Sequence, residues 1–126
     1  MEQHNGLSLA YVGDAVLELF VRHHLIAKGF TKVGDLHKHA IKYTSAIGQA
    51  KVAFRLQDGL LSEEEMSVFK RGRNATSNRK PKNTELSTYH QSTGLEALIG
   101  YLYLQNNQIR LDEIFQQFVK VIEELS

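Results

Sequence analysis

The chain has 126 residues, 42% of them apolar and 23% charged, with 15 basic and 14 acidic side chains and no cysteine. This length suits one domain spanning 1–126, and the balance is that of a globular protein rather than a disordered one. Disulfides and thiolate zinc sites are excluded. No apolar run reaches the ~18 residues that span a bilayer, and the opening MEQHNG lacks the regions of a secretion signal, so a cytoplasmic protein is expected.

Taken in chain order, the pattern predicts an all-α domain of about five main helices. Apolar residues recur at helical spacing from Leu7 to Ala27, and Gly29 supplies a stop. A second helix is expected to start near Asp35 and run to Asp58 and Gly59. Ser62 then reads as an N-cap with Glu65 in the capping-box position, opening a short helix that ends at Gly72. Residues 72–83, GRNATSNRKPKN, hold the only proline and read as an exposed loop. Helix returns from about Thr84 to Leu104, and NNQ breaks it. The chain closes on an amphipathic helix with apolar side chains at 109, 111, 114, 115, 118, 121, 122 and 125.

Two acids stand out because of their surroundings. Asp14 lies in LAYVGDAVLELF, where apolar residues cover most of the helix, so it is expected to be shut away from bulk water. Glu96 repeats the arrangement in STGLEALIGYLYL. Each acid has a glycine nearby, Gly13 and Gly100, which suggests close helix approach. If the two helices pack face to face, the acids meet, and facing carboxylates call for a hard cation such as Mg²⁺. A single acid on an apolar helix is more often hydrogen-bonded or partly exposed than a metal ligand, and the pair is what shifts the balance. Glu18, one turn after Asp14, could reach the same site, but a pair with Arg22 at i, i+4 is the preferred reading.

The segment 70–82 carries Lys70, Arg71, Arg73, Arg79, Lys80 and Lys82 and no acid. Such a run suits phosphate contact with nucleic acid, against the plainer reading of a solvated loop. The six histidines include no i, i+4 pair, and no nucleophile arrangement or phosphate-binding glycine loop is present.

LAYVGDAVLEL and STGLEALIGYLYL together resemble the two acidic motifs of the ribonuclease III family. With VRHHLIAKGF, FKRGRNA and PKN, the chain is most similar to its compact bacterial branch, Mini-ribonuclease III, which has the catalytic domain without a double-stranded-RNA-binding domain. The resemblance implies a Mg²⁺-dependent, homodimeric endoribonuclease that cleaves double-stranded RNA and matures the large-subunit (23S) ribosomal RNA precursor. Asp14 and Glu96 match the family's catalytic and metal-binding acids. Larger members carry further acids where this chain has Leu7, Ala10 and Thr93, so one cation held by Asp14, Glu96 and waters is the expectation. Two other readings are a non-catalytic RNA-binding module of the same fold and a helical protein-interaction domain. The first predicts binding without cleavage, the second no salt-sensitive RNA binding.

Overall fold

A computed structural model of the protein describes residues 4–75 and 84–124. Among the described residues there are six helices and no strand: α1 (Gly6–Ala27), α2 (Val33–Thr44), α3 (Ala46–Gln57), α4 (Glu63–Arg73), α5 (Leu86–Leu104) and α6 (Gln108–Glu124). The all-α expectation holds. No helix among them is long and apolar enough to cross a membrane.

The extra helix comes from Ser45. A single helix was expected from Asp35 to Asp58, but Ser45 adopts an extended conformation, ending α2 and capping α3, with its hydroxyl accepting from the Gly48 amide at 3.1 Å. Gly48 makes the corner possible, because a Cβ there would collide with the Lys42 carbonyl. Elsewhere the local signals agree with the structure. Gly29 takes a left-handed φ of 103° just after α1. The Ser62–Glu65 capping box is complete. Asn106 adopts φ 56° between α5 and α6.

α5 sits at the centre. Its buried residues include Leu95, Leu98, Ile99 and Leu102 and point in every direction, as expected for a helix surrounded by others. α1, α3 and α4 pack around it. α6 lays one stripe, Leu111, Ile114, Phe115, Phe118 and Ile122, over the same core, while Ile109 of the expected stripe stays 80% exposed.

Two polar anchors orient α6. Arg110 grips the capping-box acid Glu65 with two contacts, Nε to Oε2 at 2.7 Å and Nη2 to Oε1 at 2.9 Å. At the other end, one oxygen of Glu123 accepts from Lys28 Nζ at 2.9 Å and the Tyr43 hydroxyl at 2.8 Å, and contacts His24 Nε2 at 2.8 Å. Burial alone would raise the Glu123 carboxyl, but these hydrogen bonds outweigh it and hold the group down at about 2.

Candidate active site

The site begins with two glycines. α1 and α5 cross where Gly13 meets the backbone of Glu96 and Gly100, and where Gly100 meets the backbone of Leu9 and Gly13. A Cβ built on Gly13 would collide with the Glu96 carbonyl oxygen, and one on Gly100 with the Leu9 carbonyl oxygen. Backbone approach this close is open only to glycine. It brings the residue after Gly13 and the residue four before Gly100 together, so Asp14 and Glu96 interact side chain to side chain.

The two acids differ in environment, and one expectation is corrected here. Asp14 is exposed rather than shut away from water. It sits at the border of the buried stripe of α1: Ala10 and Leu17 on one side are buried, but Tyr11 on the other is 83% exposed and Leu7 42%. Glu96 is half-buried, flanked by the fully buried Leu95 and Ala97. Burial, then the hydrogen bond and charge of Asp14, push the Glu96 carboxyl up to about 8, with a smaller push from the Glu18 charge and a hydrogen bond from Gln49 acting the other way. Glu18 also makes its expected pair with Arg22, at 3.5 Å. Its charge thus serves the site's field while its side chain is tied to the flank of α1.

One further contact to Glu96 was not foreseen. Gln49, in the first turn of α3, is 3% exposed. Its amide Nε2 donates to the Thr44 carbonyl at 3.0 Å and reaches Glu96 Oε2 at 3.4 Å. Its Oε1 is buried with no hydrogen-bond partner. Nothing in the sequence marks this glutamine; the break at Ser45 is what aims it at α5.

The absence of acids at Ala10 and Thr93 is matched by their surroundings. Thr93 turns its hydroxyl back to the Tyr89 carbonyl at 3.0 Å, and Ala10 is packed into a small cluster with Leu9, Val68 and Ala97. Among the described residues, no group of three or more His, Asp or Glu side chains is placed to hold a metal. Two histidines are engaged elsewhere: His24 on Glu123 and His39 against the Phe30 ring. Asp14 and Glu96 nonetheless fit a hard cation. The donors are all oxygen, one carboxylate is open to solvent, and the pair repels when both are ionised. Mg²⁺ commonly keeps several waters and takes only one or two protein carboxylates.

Of the basic residues, Lys70 is exposed while Arg71 and Arg73 are half-buried at the end of α4. That end is held near the site because Gly72 packs on Thr93 and Ala97 of α5, where a Cβ would lie 2.9 Å from the Thr93 carbonyl oxygen. Arg79, Lys80 and Lys82 lie outside the described residues.

The raised Glu96 carboxyl has a measurable consequence without cation. Its folded value of about 8 lies above its ordinary 4.5, so between those pH values the native state binds more protons than the unfolded one. Stability must therefore fall as pH rises through that window. In chelator, the melting temperature of the wild type is expected to drop over this range relative to that of Glu96→Gln, and Mg²⁺ should restore much of the difference at pH 8. Parallel pH profiles for the two proteins would refute the coupling.

An all-helical domain whose two acid-bearing helices cross at paired glycines fits a ribonuclease III domain. The ribonuclease III domain model matches residues 7–107. The chain belongs to the ribonuclease III family, in its Mini-ribonuclease 3 branch. It is 44% identical to Mini-ribonuclease 3 of Streptococcus pneumoniae over 94% of each chain. With the Brevibacillus brevis protein of the same name it shares 49% identity, over 94% of this chain and 88% of that one. A crystal structure of a Fusobacterium nucleatum protein superposes with a TM-score of 0.86 at 28% identity, covering 95% of this chain and 97% of that one.

Proposed function

We propose that the chain is a metal-dependent endoribonuclease that hydrolyses double-stranded RNA, as a single catalytic domain working in a homodimer. The observation that carries this reading is the meeting of Asp14 and Glu96 at the α1–α5 crossing in a chain of this family. Asp14 and Glu96 would hold the cation, for which Mg²⁺ is the assignment. The cation supplies charge for an activated water and for the scissile phosphate. Asp14 offers the solvent-open oxygens, and Glu96, steadied by Gln49, fixes the second side of the site. No protein nucleophile is needed. Lys70 and the residues that follow it hold the duplex by its phosphates, so sequence preference is weak. The large-subunit (23S) ribosomal RNA precursor is the natural substrate this resemblance suggests, in the cytoplasm.

The test is incubation of long double-stranded RNA with the protein in Mg²⁺ and in chelator. Mg²⁺-dependent cleavage is expected. Salt-sensitive binding with no cleavage would favour the non-catalytic module instead.

The dimer has its own support. Leu7, Tyr11, Val12 and Leu104 line an open hollow of about 700 Å³ on the α1 face next to Asp14. A tyrosine 83% exposed among leucines on that scale is a surface to be covered, and a second copy would cover it. Sedimentation should show a dimer for the wild type and a monomer for Tyr11→Asp, which keeps its fold. A monomeric wild type would sink the homodimer reading.

A further inference from the structure

Gln49 poses a problem that the site's two acids do not solve. A buried amide is costly unless both its ends are satisfied. Its nitrogen end is accounted for, by the Thr44 carbonyl and Glu96 Oε2. The reverse amide orientation would set its oxygen against the Thr44 carbonyl, which can only accept, so the orientation is dictated by that partner. Its oxygen has nothing. The backbone that carries this amide is fixed. Ser45 caps the helix start, its carbonyl accepts from the Gln49 N–H at 2.9 Å, and Gly48 is locked against the Lys42 carbonyl. The amide is therefore a rigid group, 3% exposed, standing against one of the two acids of the site.

We propose that Gln49 is a positioning residue of the cation site: its N–H end, fixed on the Thr44 carbonyl, orients the Glu96 carboxylate. Burying an amide with its oxygen unsatisfied is costly, and its presence beside Glu96 is what a positioning role explains. This assignment rests on the nuclease reading above.

The experiment is titration of Mn²⁺ alone into the RNA-free protein, followed by calorimetry and by the electron paramagnetic resonance signal of the free ion. Gln49→Leu is expected to weaken Mn²⁺ binding by about 10- to 100-fold, the usual effect of losing an outer-shell partner. It should keep its cooperative melting and its RNA affinity in chelator, and cleavage should lose kcat rather than gain KM. Gln49→Met, closer in shape, is the second variant and should behave alike. Wild-type Mn²⁺ affinity in either folded variant overturns the assignment. Failure of both to fold also overturns it, by making Gln49 a structural residue only. The two readings separate cleanly. If the wild type cleaves and binds Mn²⁺ while the Gln49 variants match it, only the glutamine's role falls. If the wild type neither binds Mn²⁺ nor cleaves, the nuclease reading falls first.

Discussion

Asp14→Asn is expected to lose cleavage of double-stranded RNA by about three orders of magnitude or more while still binding the duplex. Asparagine keeps the shape but not the charge, and under the proposed function the cation would be left with one carboxylate of two. The loss corresponds to roughly 4 kcal/mol of transition-state stabilisation, within what a single metal site supplies. Under the proposed function binding persists, because the phosphate contacts are assigned to the basic segment that begins at Lys70 of α4 and not to α1. The same substitution removes the group whose hydrogen bond and charge help to raise Glu96, so the cation-free protein should become more stable at pH 8, not less. Loss of activity combined with loss of stability would mean that Asp14 holds the fold together. Equal loss of binding and cleavage would place it in the RNA contact instead. Both outcomes are read from single-turnover cleavage, filter binding and a melt on one preparation.

The largest effect on the fold is expected from Gly13→Ala. On helix propensity alone, alanine should stabilise a helix interior by about 1 kcal/mol. Here the sign reverses, because the new methyl group would overlap the Glu96 carbonyl oxygen and lie 2.9 Å from the Gly100 amide nitrogen. Backbone cannot rotate out of the way as a side chain can, so α1 and α5 must separate along the most extensively packed interface of the fold. Overpacking of this kind costs about 3 kcal/mol, which lowers the melting temperature by roughly 10 °C in a domain of this size. Separation also moves Asp14 away from Glu96, so cation binding should weaken together with stability. Gly34→Ala is the control: nothing lies within 4 Å of its Cβ position, and the melt should be unchanged or slightly raised. A Gly13→Ala protein that melts with the wild type would mean that the helices do not cross as described.

Much of this architecture is local, and local chemistry is legible in order along the chain. The Ser62–Glu65 capping box, the stop at Gly29 and the break at Asn106 each depend on a few adjacent residues, so the sequence predicts them and the structure contains them. Ser45 was legible too, as a serine three residues before Gly48, but an uninterrupted polar and apolar alternation hid it. The pairing of two acid-bearing helices was foreseeable from Gly13 and Gly100, because close approach demands glycine on both sides. Exposure was another matter. A helix rich in Leu, Val and Tyr suggested a hidden Asp14, yet which flank of α1 faces the core is decided by α5 and α4, and they leave Tyr11 and Asp14 open. Gln49 shows the same limit more sharply. A glutamine carries no chemistry in its own letter. Its role arises only because the corner at Ser45 swings α3 against α5 and buries an amide beside Glu96, a contact across 47 residues. The sequence alone determined the all-α class, most of the helix ends and the two acids, but not the break between α2 and α3. Which side chains are covered, and which meet, was decided by packing between distant segments, where burial and hydrogen bonding have no signature in any one stretch of chain.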